Sequence, residues 1–322
     1  MAQPGPTQPD FEDRIKVFTG SGNPQLAQEI CDHLGIPLGR AEIVRFANEN
    51  IFVQIQENVR ERDVFVVQPL SNPVSENLVE LLIMLDALRG ASAHRITAVI
   101  PYYSYARSDK KDMPRISIAG RLIADLLVTA GANRLLTMTL HSEQVQGFFR
   151  CPADHLLATP ILCGYFRSLK LENCVALATD AGSARRAGQY ATRLNIPLAF
   201  IDKRRVSDEE VEVRAVVGEV KGKTIIFFDD EIARGTSLLE GVRLLEEFAV
   251  GDIYVGVTHG VLTGDAVQRI MESPIRQVVV TNTVSLPPEK RCSKIVQLSV
   301  APLFGEAIRR IHTGESVSEI FE

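Results

Sequence analysis

The sequence is short of positive charge and of long apolar runs. Its 35 Lys and Arg residues stand against 40 Asp and Glu, a formal charge of −5. This leaves no general basic face and argues against a nucleic-acid-binding protein. No apolar run approaches the roughly 20 residues of a membrane span. The polar, Pro-rich start lacks the apolar core of a signal peptide, and residues 1–12 are predicted to be a flexible tail. We therefore expect no membrane partner.

Cysteines are few and scattered. The five are Cys31, Cys151, Cys163, Cys174 and Cys292, and no two have CxxC spacing. The pattern predicts neither a zinc site nor a disulfide framework, and a reduced cytoplasmic compartment fits it best. Packing in the core is the more common role for such residues. A nucleophilic cysteine is the alternative.

Apolar residues make up 45% of the 322, enough for the cores of two α/β domains. Short apolar strands, such as Asp63–Gln68 and Leu198–Ile201, alternate along the chain with helical patterns, such as Pro24–Leu34, Ser75–Arg89 and Ala184–Leu194. This alternation predicts right-handed βαβ units and parallel sheets.

The two halves of the chain resemble each other. Leu34–Leu38 matches Leu194–Leu198, and Val64–Pro69 matches Ile225–Asp230 at nearly the same offset. An internal duplication is therefore predicted. The first half carries Gln68-Pro69 where the second carries two carboxylates, so only the second half is expected to bind a sugar phosphate.

The most informative stretch is Ile225 to Ser237. Four apolar residues predict a strand, Ile225–Phe228, that is buried on both faces. Asp229 and Asp230 follow it, and a loop of small residues leads into a helix predicted over Leu238–Phe248. Backbone N–H groups at a helix start favour a phosphate, while the carboxylates suit ribose hydroxyls or a metal. The alternative is an ordinary strand–turn–helix whose acidic pair faces water.

Other polar clusters also follow predicted strands, at the sheet edge where α/β proteins bind ligands. Arg107, Lys110 and Lys111, in the loop after Ile96–Pro101, could clamp a polyphosphate, or this could be a solvated charged loop. Lys203, Arg204 and Arg205 follow a later strand, and a mobile flap is predicted after them over Ser207–Glu210. Asp180 lies in a second turn of small residues. Cations beside carboxylates suit phosphoryl chemistry with Mg²⁺.

Taken together, these stretches resemble the ribose-phosphate pyrophosphokinase family from about Ile15 to the last residues. The resemblance rests on the following segments, which occur in the family's order: Val44–Phe46, Ile51–Ile55, Glu80–Ala87, Ile96–Ala106, His141, Gln146–Phe149, Ile201–Arg205, Thr258–Gly260 and Ser299–Leu303.

The resemblance implies two tandem doubly wound parallel-sheet domains of the type I phosphoribosyltransferase fold. Residues 13–155 would serve ATP binding and assembly, and residues 156–304 would carry the ribose 5-phosphate loop. Residues 305–322 would pack back on the N-terminal domain. The implied reaction moves the β,γ-diphosphoryl group of ATP to the 1-hydroxyl of ribose 5-phosphate. The implied assembly is a homo-oligomer, a hexamer built from dimers.

The resemblance also assigns roles. Lys203, Arg205 and His141 would be catalytic, and His141 and Asp180 would lie at Mg²⁺. The residues implied at ATP are Phe46, Asn48, Asn50, Arg107, Ser108 and Asp109. Those implied at ribose 5-phosphate are Asp229, Asp230, Ala233, Arg234, Gly235, Thr236 and Ser237. A regulatory site would include Arg60, Lys110, Glu143, Ser316 and Ser318.

The chain departs from the family pattern near both substrates. Glu231, Ala233 and Arg234 replace an apolar residue and an Asp-Thr pair in the phosphate loop. Asn50 and Ser108 differ at the expected nucleotide site. Glu143 stands where a small residue is usual at the regulatory site, and its carboxylate should repel an anion. We therefore predict weak or absent activation by inorganic phosphate.

Two other functions remain open from the sequence. One is a non-catalytic regulatory subunit of the synthetase-associated type, which the altered loop would allow. The other is a phosphoribosyltransferase that uses the product, although no base-binding segment supports it.

Overall fold

The computed structural model describes residues 14–180, 182–205 and 211–321; the side chains of residues 203–205, 211–215 and 321 lie outside it. Its strands are β1 Ile15–Thr19, β2 Ala41–Arg45, β3 Ile51–Ile55, β4 Asp63–Val67, β5 Arg95–Ile100, β6 Arg134–Met138, β7 Ala153–Leu156, β8 Cys174–Ala178, β9 Leu198–Arg205, β10 Val211–Val217, β11 Thr224–Ile232, β12 Ile253–Gly260, β13 Ile275–Thr281 and β14 Ile295–Leu298. Its α-helices are α1 Pro24–Leu34, α2 Val74–Gly90, α3 Ala119–Ala130, α4 Thr159–Ser168, α5 Ala184–Leu194, α6 Thr236–Leu245, α7 Ala266–Glu272 and α8 Ala301–Thr313.

The chain forms two compact units. The first takes the chain up to Leu156, together with Thr283–Ser285 and the segment from Ala301 onward. The second consists of Leu157–Asn282 and Leu286–Val300. Helix α8 belongs to the first unit, where it packs on α1. Gly305 permits this contact, because a Cβ atom there would lie 2.5 Å from the ring of His33.

The two units repeat one sheet topology. The first sheet has the order β1-β4-β5-β6-β7, and the second contains β8-β11-β12-β13-β14, with all neighbours in these runs parallel. The second sheet continues past β8 with β9 and then with antiparallel β10. In the first unit, Leu38 makes one parallel bridge to Val17 of β1 before the chain enters the β2–β3 hairpin. The predicted parallel α/β architecture is confirmed.

The cores follow from the apolar runs. Every residue of β4 and of β12 is buried, as expected for central strands covered by helices on both faces. Helix starts and ends follow from local chemistry. Asn23 caps α1 by accepting a hydrogen bond from the backbone N–H of Leu26, and Gly35 ends that helix in the left-handed conformation with φ 70°. Helix bounds predicted for Pro24–Leu34 and Ala184–Leu194 are therefore correct.

Two strands next to the polar clusters, β9 and β11, are longer than the sequence predicts. Strand β11 continues beyond Phe228 to Ile232, because β12 keeps pairing with it. Strand β9 extends beyond Ile201, so Lys203 and Arg205 lie in a strand rather than after one. The predicted tail 1–12 and the predicted flap Ser207–Glu210 lie outside the described residues.

None of the helices that the structure describes combines sufficient length with sufficient apolar character to cross a bilayer.

Candidate active site

The loop after β11 forms a turn that opens toward solvent in the second unit. Gly235 precedes α6 with φ 70° and ψ 12°, a left-handed conformation that suits glycine. The N-cap residue Gly235 has no side chain that could cap α6, and Thr236 and Ser237 are exposed. The helix begins two residues earlier than the predicted Leu238. Its first backbone N–H groups therefore lie at the loop, an arrangement that suits anions.

Three hydrogen bonds hold this loop in place. The backbone oxygens of Ile232 and Ala233 accept from the N–H groups of Leu262 and Thr263 at 2.9 and 3.0 Å. Nη1 of Arg269, in α7, donates to the backbone oxygen of Arg234 at 3.2 Å. The sequence interpretation did not include Arg269. Its cation adds to the anion-binding character of the loop.

The carboxylates of Asp229 and Asp230 lie on β11 just before this loop, and one arginine contacts both. Nη1 of Arg186 donates to Oδ1 of Asp230 at 2.5 Å and to Oδ1 of Asp229 at 3.1 Å. Oγ1 of Thr179 donates to Oδ2 of Asp229 at 3.1 Å. Burial, followed by the charge of Asp230, raises the pKa of Asp229 to about 7. The pair is a dense group of hydrogen-bond acceptors that suits sugar hydroxyls.

Asp180 lies in the turn after β8 and is exposed. Its Oδ1 accepts from the backbone N–H of Ser183 at 2.7 Å, which fixes the turn. Among the residues that the structure describes, no three His, Cys, Asp or Glu side chains form a metal cluster. Mg²⁺ needs only one or two carboxylates and completes its shell with water and phosphate oxygens. Asp180 therefore fits this ion, whereas the imidazole of His141 is a poorer match for a hard cation.

In the first unit, loops that follow β5 and β6 are joined at the carboxyl edge of the sheet. Oδ2 of Asp109 accepts from Oγ of Ser142 at 2.6 Å and from Nε2 of Gln144 at 3.0 Å. Oγ of Ser108 accepts from the backbone N–H of Ala119 at 3.2 Å, at the start of α3. The structure thus brings together the predicted ATP loop and the segment after His141. Exposed on these loops are Arg107, Lys110, His141 and Glu143.

The other predicted ATP residues lie at the tip of the β2–β3 hairpin. Phe46 is 51% exposed, and its ring centroid is 6.0 Å from that of Phe52. Oδ1 of Asn48 accepts from the backbone N–H of Asn50 at 3.3 Å, which closes the tip. An exposed aromatic ring on a rigid tip is available for stacking on a base.

The turn after β1, Gly20–Asn23, is the first unit's equivalent of the Asp180 turn after β8. It is occupied by one of the protein's own carboxylates. Glu80, on α2, is 4% exposed and accepts from the backbone N–H and from Oγ of Ser21 at 2.5 and 2.7 Å. Nε2 of Gln68 donates to the same carboxylate at 2.8 Å. The polar groups of the Gly20–Asn23 turn are therefore satisfied by side chains of the first unit itself.

The predicted regulatory residues occupy separate places within one chain. Arg60 precedes β4 at the amino edge of the first sheet, where its Nη1 donates to Oγ of Ser92 at 3.3 Å. Lys110 and Glu143 lie at the opposite, carboxyl edge. Ser316 and Ser318 follow α8 and are exposed. The side chains of the predicted catalytic residues Lys203 and Arg205 lie outside the described part of the structure.

Similarity to known proteins covers nearly the whole chain. Residues 15–131 match the N-terminal domain of ribose phosphate pyrophosphokinase, and residues 207–322 match the phosphoribosyl synthetase-associated domain. A ribose-phosphate pyrophosphokinase of Deinococcus radiodurans is 54% identical over 95% of this chain and 98% of that protein. Its counterpart from Bacillus caldolyticus is 46% identical over 97% and 99%. The crystal structure of phosphoribosylpyrophosphate synthetase from Mycobacterium smegmatis, 41% identical, superposes with a TM-score of 0.89 over 94% of this chain and 99% of that one.

Proposed function

This chain belongs to the ribose-phosphate pyrophosphokinase family, and on that premise we propose that it is an active enzyme. It transfers the β,γ-diphosphoryl group of ATP to the 1-hydroxyl of ribose 5-phosphate, giving phosphoribosyl pyrophosphate and AMP. The similarity to named pyrophosphokinases over the full length favours this enzyme over a non-catalytic subunit.

The arrangement around β11 carries this proposal. The start of α6 and the loop through Ser237 would bind the 5-phosphate, with the cation of Arg234 offsetting the charge of Glu231. Asp229 and Asp230 would accept hydrogen bonds from the ribose hydroxyls. Ala233 and Gly235 supply backbone and space rather than side-chain contacts. This geometry supports a fully formed sugar-phosphate site despite the altered loop sequence.

The first unit would hold the nucleotide. Phe46 would stack on the adenine, and Arg107 would contact the phosphates. Asn48, Asn50 and Ser108 fix the backbone of the two loops. Asp109 joins the loop after β5 to the segment that carries His141. Chemistry would then depend on positioning and on charge stabilisation, to which we assign Lys203 and Arg205.

We also propose Mg²⁺ as the cofactor, with Asp180 as a protein ligand and His141 near the nucleotide phosphates. When bound, the ion neutralises charge on the phosphate oxygens. The chain's own residues supply the sugar site, the aromatic platform and the cations that orient the phosphates.

A homo-oligomer fits the exposed apolar side chains of the first unit. Leu122 and Leu126 lie one turn apart on α3 and are 49% and 38% exposed, and Val79 on α2 is 46% exposed. Burial against a second copy would remove such a surface from water. We propose a hexamer built from dimers in the cytoplasm; light scattering on the purified protein measures its size.

The decisive experiment measures AMP released from ATP and Mg²⁺, with and without ribose 5-phosphate. We expect AMP to form only with the sugar and in equal amount to phosphoribosyl pyrophosphate. Asp230→Ala should weaken the binding of ribose 5-phosphate, so that AMP release needs a higher concentration of the sugar. Asp252→Ala is the matched control, because Asp252 forms an exposed pair with Arg276 in the same unit. Absence of AMP from folded, assembled protein, across nucleotides and metals, would favour the regulatory subunit.

A further inference from the structure

Arg186 is the cation closest to the acidic pair in the described structure of the second unit. A single nitrogen, Nη1, donates to Oδ1 of both Asp229 and Asp230. The side chain of Arg186 is 23% exposed, that of Asp229 is 25% exposed, and that of Asp230 is 4% exposed. The contact is therefore shielded from most of the solvent, unlike the surface ion pairs of this chain.

The position of Arg186 is not explained by the needs of its own helix. It lies in the first turn of α5, where no acidic residue is present. The positive end of a helix dipole disfavours a cation in that turn. A residue placed against this local preference is held by other contacts, and here those contacts include the two carboxylates of β11.

The carboxylates in turn need a nearby cation. Asp230 is 3% exposed, and a buried carboxylate without a compensating charge is strongly unfavourable. The backbone N–H of Asp230 donates to Oδ1 of Asp229 at 2.9 Å, and Thr179 holds the other oxygen of Asp229. Arg186 is thus the group that joins the two carboxylates into one fixed unit.

We propose that Arg186 is a positioning residue for the sugar site, because it holds the carboxylates of Asp229 and Asp230 in the arrangement that accepts hydrogen bonds from neighbouring sugar hydroxyls. This inference rests on the proposed function. Arg186 acts through the two aspartates, so its loss should affect the binding of ribose 5-phosphate more than turnover at saturation.

The test compares Arg186→Gln, Arg186→Lys and Arg193→Gln with the wild type. Arg193 lies on the same helix and is exposed, so its variant controls for a lost cation on α5. For Arg186→Gln we expect the KM for ribose 5-phosphate to rise about 10- to 100-fold, with the KM for ATP within about 2-fold of the wild type. Lysine should recover part of this loss, because one nitrogen makes both contacts.

A merely structural role would give a different pattern. Wild-type KM values with a lower kcat in Arg186→Gln would overturn the inference, as would equal increases in the KM of both substrates. If Arg186→Gln does not fold, the lysine variant decides by the same criterion, a selective rise in the KM for the sugar.

Calorimetric titration with ribose 5-phosphate separates the proposed reaction from the proposed positioning role of Arg186. A wild type that binds the sugar but forms no AMP contradicts only the reaction, whereas unchanged affinity in both Arg186 variants contradicts the positioning role.

Discussion

Replacing Asp63 by Asn should weaken the first unit where its C-terminal helix meets the sheet. Asp63 opens β4, is 6% exposed and accepts hydrogen bonds from Nε of Arg95 at 2.8 Å and from Nδ1 of His312 at 2.9 Å. Nη2 of Arg95 contacts Asp63 as well and donates to the backbone oxygen of Ile311 at 2.9 Å. This carboxylate therefore ties β4 and β5 to the end of α8.

The size and pH dependence of the effect follow from these contacts. Burial alone would raise the pKa of Asp63, but hydrogen bonds from His312 and Arg95 outweigh it and lower the pKa below its usual value. Breaking a fully buried pair costs about 3–5 kcal/mol. The side chain of Arg95 is 30% exposed, and Asn keeps one acceptor. We therefore expect a loss of about 2 kcal/mol at pH 7. Because the pKa of Asp63 is lower in the folded than in the unfolded protein, its ionised carboxylate stabilises the fold above the unfolded-state pKa of about 4. The stability difference between the wild type and Asp63→Asn should therefore shrink as the pH falls below about 4.

Calorimetric melting and hydrogen exchange test this prediction on the full chain. At pH 7 the melting temperature of the first unit should fall by about 4–8 °C, and exchange should accelerate over α8. Asp86→Asn is the control, because Asp86 pairs with Arg89 on an exposed face of the same unit. It should change the stability by less than about 1 kcal/mol. Equal stability of the two variants at pH 7, or unchanged exchange over α8, would refute the role of Asp63.

Three other predictions concern the active site and its regulation. Asp229→Asn should raise the melting temperature at pH 8 by about 3–6 °C, because the raised pKa of Asp229 makes its ionised form destabilising above pH 7. This gain in melting temperature should shrink as the pH falls toward 5, and melting curves at pH 8 and pH 5 check it. Lys203→Ala should lower kcat by about 100-fold or more with KM values nearly unchanged, whereas a raised KM for ribose 5-phosphate at normal kcat would contradict its catalytic role. Inorganic phosphate should activate the enzyme weakly or not at all, because Glu143 is exposed beside the expected regulatory site; strong, saturable activation in a phosphate titration would exclude this account.

The sequence predicts the elements of this fold better than their ends near the site. The helices Pro24–Leu34 and Ala184–Leu194 have the predicted bounds, because each has clear apolar spacing and ends at a residue in the left-handed conformation, Gly35 or Asn195. For β11 the apolar pattern stops at Phe228, whereas the strand runs to Ile232. Pairing of Glu231 with His259 on β12 extends it, and such tertiary pairing leaves no trace in local hydrophobicity.

Contacts between distant residues explain what the sequence interpretation missed in the site. Arg186 is 43 and 44 residues from its two aspartates, and Glu80 is 59 residues from Ser21. Neither pairing follows a helical or strand period, so no motif reveals it. The only local signal was an arginine in the first turn of a helix without an acidic neighbour, which helix electrostatics do not favour.

The internal repeat explains why one sugar-phosphate site is expected rather than two. The turn Gly20–Asn23 follows β1, just as the turn at Asp180 follows β8. Strand β1 is the neighbour of β4, and β8 is the neighbour of the equivalent strand β11. In the first unit, Glu80 and Gln68 satisfy the turn from within, and a phosphate there would have to displace a buried carboxylate. In the second unit, the acceptors are Asp229 and Asp230, which Arg186 compensates, and the loop beside them is exposed. A buried carboxylate therefore closes the Gly20–Asn23 turn of the first unit, whereas the loop after β11 in the second unit is exposed to a ligand.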